Sequence, residues 1–180
     1  MTDINSRIPE DCARKFKAVR LLGEGGFGQV YLAEQIGLGR SVALKILRTE
    51  TSQDQEQIKR FVEEGRITAQ LSHPNVVRVI DAGAETGVPW LVYELVEGPS
   101  LRDRARQQPL RWHEAVHAAA QIAAALEEAH SHSIVHRDVK AENVLQAADG
   151  TYKLADFGIA KWAASGSVRT RLRRRETQLT

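Results

Sequence analysis

The chain has one cysteine, Cys12, in 180 residues. A lone thiol excludes an intramolecular disulfide framework and fits a reducing cytoplasm. No apolar run approaches the roughly 20 residues needed to cross a bilayer, so no membrane segment is expected. The N-terminus "MTDINSRIPEDCARK" lacks the apolar core of a secretory signal. No internal repeat is visible. Net charge is a small +2, but it is uneven: residues 161–180 hold six basic and one acidic side chain (+5), leaving −3 for residues 1–160. The excess lies in "RTRLRRR", Arg169 to Arg175. Such a run could meet nucleic acid or anionic lipid. No aromatic is interleaved with the arginines for base stacking, so it reads as a solvated tail and no nucleic-acid partner is expected. With 42% hydrophobic and 27% charged residues, the rest is ordinary for one soluble globular domain, or one and a fraction.

What is present begins with "LLGEGGFGQVYLA", where Gly23, Gly25 and Gly28 are spaced G-x-G-x-x-G. Glycines at this spacing let backbone approach a phosphate. A following helix would make the pattern a dinucleotide fingerprint, whereas flanking strands would make it a cover over a nucleoside triphosphate. "QVYLAEQ" alternates, with Val30 and Leu32 on one face and Tyr31 and Ala33 on the other, and "SVALKIL" reads as the next strand. The loop therefore joins two strands.

"DQEQIKRFVEEGRITAQL" spaces Ile58, Phe61, Val62, Ile67 and Leu71 as a helix, with Ser52 or Asp54 as N-cap. Gly65 inside it costs about 1 kcal/mol against alanine, so this helix relies on tertiary contacts. Two strands with a Gly/Pro-marked turn are expected in "HPNVVRVIDAGAETGVPWLVYELVEG", then a short helix at 100–107. A long helix is expected from Trp112 to about His132, its stripe formed by Val116, Ala119, Ile122, Ala123, Leu126 and Ala129. Asp149-Gly150 favours a hairpin turn. Asn143 lies six positions before Asp149 and Asp156 six after Gly150, so the hairpin is expected to set these two residues opposite each other.

"GEGGFGQV", "VALK", "HRDVKAEN" and "DFG" follow in that order. From about Phe16 to Lys161 the chain resembles eukaryotic-type serine/threonine protein kinases, particularly the bacterial members. The resemblance implies an α+β fold: an antiparallel-sheet N-terminal lobe with one long helix, then the first, mainly helical part of an incomplete C-terminal lobe. The implied divisions are an extension at 1–15, the first lobe at 16–97, part of the second at 98–164, and a basic tail at 165–180.

By the same resemblance the chain transfers the terminal phosphoryl group of Mg-ATP to a protein Ser/Thr hydroxyl. Gly23, Glu24, Gly25, Gly26, Phe27, Gly28 and Gln29 would cover the phosphates. Leu22, Val30, Ala43 and Leu145 would line the adenine slot, with Tyr93 behind it and backbone groups of Glu94 and Val96 on the purine edge. Lys45 would reach the phosphates and needs an acidic partner. The family's count back from Leu71 selects Glu64, with Glu63 as the alternative. Asp138 would orient the substrate hydroxyl, Lys140 would offset charge on the moving phosphoryl group, and Asn143 and Asp156 would hold Mg²⁺. His136 and Phe157 would stack with Thr68 and Val79. Arg137 would pair with a phosphate on Ser165, Ser167 or Thr170.

After "DFGIAK" no anchor of the "APE" kind follows. The resemblance therefore implies a truncated form with negligible phosphotransfer by these 180 residues and an unburied flank on the 112–132 helix. The alternative function is a kinase-like fragment that binds nucleotide or a partner without transferring phosphate.

Overall fold

The computed structural model describes residues 8–24, 28–47, 55–85 and 87–157. Five antiparallel strands form the first layer: β1 (Phe16–Glu24), β2 (Gly28–Gln35), β3 (Arg40–Leu47), β4 (Val79–Gly83) and β5 (Trp90–Glu94), in the order β1-β2-β3-β5-β4. The alternation legible in β2 and β3 sorts their side chains. Tyr31, Ala33, Val42 and Leu44 join one buried cluster with Phe16, Trp90 and Val92, while Ala43 packs into another with Leu91 and Tyr93. The strands thus have one face for the core and one for the cleft.

A short helix, α1 (Glu10–Ala13), closes the outer face of this sheet. Ile8 and Cys12 enter the same cluster as Phe16. The Asp11 carboxylate accepts a 2.7 Å bond from the Trp90 indole N–H. Burial, with Asp11 nearby, pushes the Cys12 thiol up to about 12, so it is an inert packing group.

The helix α2 (Gln55–Thr68) crosses the other face. Its expected caps, Ser52 and Asp54, lie outside the described residues. A Cβ on Gly65 would stand 2.2 Å from a Leu91 methyl. The glycine that weakens the helix is what lets it approach β5.

Beyond β5 come α3 (Leu101–Gln107), α4 (Trp112–Ser131), a 3₁₀ turn at Ala141–Asn143, and the hairpin β6 (Val144–Gln146) and β7 (Tyr152–Leu154). Ser100 caps α3 by accepting the Asp103 N–H, as a short hydroxyl at that position should.

The expected apolar stripe of α4 is only partly the buried one. Ile122 and Ala129 are buried and Leu126 packs beside them, but Val116, Ala119 and Ala123 are exposed; the buried line runs through Ala118, Ile122, Ala125 and Ala129. An alanine-rich helix is apolar around most of its circumference, so periodicity leaves its rotation open. A polar residue sets it. Gln121 Oε1 accepts bonds from the Tyr152 backbone N–H (2.8 Å) and Asn75 Nδ2 (2.6 Å), which turns that edge toward β7. Trp112 and Val116 remain exposed on the far flank.

Candidate active site

Lys45 stands in mid-β3, where the pleat sends it to the same face as Ala43. Its Nζ lies 2.6 Å from Glu64 Oε1 and 3.0 Å from Asp156 Oδ1. Burial alone would lower the pKa of this ammonium. Asp156 and Glu64 outweigh that and hold it at about 12, so Lys45 remains charged. Burial lifts the Glu64 carboxyl while Lys45 opposes the rise. The Tyr93 hydroxyl donates to the same Glu64 oxygen. Of the two adjacent acids, Glu64 is the buried one. Glu63 points outward and meets Arg66 at 3.5 Å.

A second cluster forms around Asp138. Its carboxylate receives Lys140 Nζ at 2.7 Å and Asn143 Nδ2 at 3.2 Å. The Lys140 bond, then that of Asn143, holds its pKa below the usual aspartate value. Asn143 Nδ2 also donates to the Asp138 backbone carbonyl. With its amide nitrogen so used, Asn143 keeps Oδ1 as an acceptor. Arg137 adopts φ +64° and Asp156 φ +53°. Non-glycine residues persist there only when their surroundings over-determine them.

The backbone of Ala155 couples the clusters. Its N–H bonds Asn143 O at 2.8 Å, and its carbonyl accepts His136 Nε2–H at 3.0 Å. Burial lowers the His136 pKa, which suits a neutral ring donating from Nε2 while Nδ1 accepts the Asp138 N–H. Asp156, the next residue, is thereby held beside the loop that carries Asp138.

The hairpin register differs by one from expectation. Val144 pairs with Leu154, so Asn143 faces Ala155 and not Asp156. The loop is centred on Asp149 alone, because Ala147 N–H bonds Thr151 O and the Asp149 carboxylate takes the Thr151 N–H. Asp156 arrives one step further on, turned by its positive φ.

In the slot above, Ala43, Val96 and Leu145 pack beside Tyr93, and Leu22 is exposed. Gly23 has open space around it, whereas a Cβ on Gly28 would lie 2.3 Å from the Ile46 carbonyl. Gly28 therefore serves the β2–β3 approach. Gln29 faces Glu24 and Val30 faces Gly23 across the β1–β2 pair. Gly25, Gly26 and Phe27 lie outside the described residues, as do Ser165, Ser167, Thr170 and the basic tail. The His136 and Phe157 rings lie 4.6 Å apart. Thr68 is buried with its hydroxyl bonded to Glu64 O, while Val79 packs with Tyr93 and Leu145.

Sequence reasoning missed Asn75. Its Nδ2 also donates to Tyr152 O, and its carbonyl accepts the Leu154 N–H, which fastens β7 below the end of α2. The one available signal was an asparagine directly after "HP".

Residues 16–176 match the protein kinase domain family. The chain is 41% identical over 155 residues to the serine/threonine-protein kinase PrkC of Bacillus subtilis, covering 86% of this chain and 24% of that protein. It is 41% identical over 158 residues to the probable serine/threonine-protein kinase PknB of Lactococcus lactis (87% and 25%), and 40% over 164 residues to PknA of Mycobacterium tuberculosis (88% and 38%). It thus spans well under half the length of these relatives. The kinase domain of Mycobacterium tuberculosis PknI superposes with a TM-score of 0.67 at 33% identity, covering 82% of this chain and 60% of that one. The fold is that of a protein kinase, with a five-stranded first lobe and part of the second. The chain belongs to the protein kinase domain family.

Proposed function

We propose that these residues form the nucleotide-binding and phosphoryl-transfer centre of a serine/threonine protein kinase that uses Mg-ATP and acts in the cytoplasm. The observation that carries this is the mostly buried Lys45 ammonium held between Glu64 and Asp156. It is a fixed positive charge at the mouth of a slot floored by Leu145 and backed by Tyr93. A charge so placed suits phosphate oxygens and is ready before they arrive.

The donor set fits magnesium. Asn143 Oδ1 and the Asp156 carboxylate are hard oxygen ligands, and Mg²⁺ commonly takes one or two such groups plus substrate phosphates and water. When bound, the ion would neutralise charge on the phosphates. Gly23, Glu24, Gly28 and Gln29, with Gly25, Gly26 and Phe27 beyond the described residues, cover the phosphates in this reading, Val30 lines the adenine slot, and Glu94 and Val96 meet the purine.

Asp138 is a weak base, because Lys140 and Asn143 favour its ionised form. Its part is to orient the incoming Ser/Thr hydroxyl and to receive the proton as that oxygen bonds the γ-phosphorus and the bond from that phosphorus to the departing ADP oxygen breaks. Lys140, 2.7 Å from it, stabilises charge on the transferring group. The names of the relatives support protein serine and threonine as acceptors.

The test is transfer of labelled γ-phosphate to a basic Ser/Thr peptide by the protein that carries this segment. Phosphoserine or phosphothreonine that disappears in Asp138→Asn supports the proposal. Label that persists undiminished in that variant sinks it.

A further inference from the structure

Glu94 ends β5 and begins the connection to the second half of the molecule. Its neighbour Tyr93 faces the slot and Glu64, so the strand's alternation sends the Glu94 side chain to the opposite side. There Oε1 accepts the Arg78 backbone N–H at 2.9 Å and Lys153 Nζ at 2.8 Å. The Glu94 N–H also returns a 2.9 Å bond to Arg78 O. One carboxylate thus joins the start of β4, in the first lobe, to the middle of β7, in the second.

Packing of Val79 and Tyr93 against Leu145, and the Val77 N–H bond to Leu154 O, also cross between the lobes; the Glu94–Lys153 pair adds a charged tie to them. The pair stands between two open recesses of about 440 Å³ and 260 Å³, both lined by Glu94 and Lys153. Lys153 lies three residues before Asp156, whose ion pair with Lys45 crosses between the lobes on the cleft side. The two ion-pair crossings differ in what surrounds them. Nucleotide phosphates and a metal ion would compete for Lys45 and Asp156, whereas the Glu94 carboxylate lies on the side of β5 opposite Tyr93.

We propose that Glu94–Lys153 is a positioning pair that fixes the angle between the lobes and so sets the rate at which nucleotide leaves. It touches no reacting atom and acts through the connection that presents Glu94 and Val96 to the purine. This rests on the nucleotide-binding reading above. With the pair broken, the lobes open more readily and release quickens by about fivefold, the size expected for a partly shielded ion pair.

The experiment is stopped-flow release of a fluorescent ADP analogue, with Mg²⁺, from the parent protein and from Lys153→Met, Lys153→Arg, Glu94→Lys and the reversed pair Glu94→Lys/Lys153→Glu. Melting curves show which variants remain folded. Faster release in Lys153→Met, parent-like release in Lys153→Arg, and a reversed pair slower than Glu94→Lys alone support the inference. Parent-like release in Lys153→Met, or a reversed pair in which the two effects simply add, overturns it. A parent that binds no nucleotide overturns the nucleotide reading itself.

Discussion

Gly65 of α2 lies against Leu91 of β5 so closely that a Cβ would meet its methyl at 2.2 Å. Glu64, the preceding residue, reaches Lys45 across the same approach. Gly65→Ala gains about 1 kcal/mol of helix propensity, yet overpacking a buried leucine costs about 1–3 kcal/mol. We expect a net loss of stability by chemical denaturation, with weaker nucleotide binding because α2 is pushed outward. Adding Leu91→Val should recover part of both. A variant as stable as the parent, binding equally well, would remove the glycine's role.

Lys45→Met should destabilise the fold by about 3–5 kcal/mol at neutral pH, because it leaves Glu64 buried without its cation. Glu64→Gln should cost less. The loss should depend on pH. Burial already raises the Glu64 carboxyl, and Lys45 is what opposes the rise. A carboxyl raised in the folded state favours folding at low pH and loses that contribution as pH climbs through its folded value. The deficit of Lys45→Met against the parent should therefore shrink on acidification. Denaturation midpoints from pH 4 to 8 check this, and a constant gap would contradict it.

Lys140→Ala removes the main bond that lowers the Asp138 pKa. A depressed carboxyl stays ionised until pH falls below the ordinary range, so its loss of charge should come earlier in the variant. The acidic limb of the pH–rate profile should move upward while the maximal rate falls. An unmoved limb would show that Asp138 is not the group titrating there.

Asp11→Ala leaves the buried Trp90 indole N–H without its acceptor, at a cost of about 1–3 kcal/mol. Asp11→Asn keeps an oxygen for that donor and should lose less. Thermal melting followed by Trp fluorescence would separate the two, and equal melting of parent and both variants would contradict the assigned bond.

Much of this was legible in the sequence, for identifiable reasons. The β2–β3 pair could be read because one face is core and the other cleft, which leaves an alternating record. Lys45 and Ala43 share a face by that rule alone. Gly65 was legible only as a weakness, since the Leu91 it accommodates lies 26 positions later. The rotation of α4 was hidden because alanine marks no side, and Gln121 settles it through partners in other elements. The β6–β7 register was missed by one residue because a side chain, Asp149, recentred the loop. Lys153 carries no signal in the sequence, because its Glu94 partner lies 59 positions away.

Lys45, flanked by Glu64 and Asp156, is proposed to receive the phosphates of Mg-nucleotide. This role is tested most directly by titrating a fluorescent ATP analogue, with and without Mg²⁺, into folded parent, Lys45→Met and Asp156→Asn. The parent should show saturable, magnesium-strengthened binding, Lys45→Met at least tenfold weaker binding, and Asp156→Asn no magnesium effect. Equal affinity in all three, with or without the metal, would contradict it.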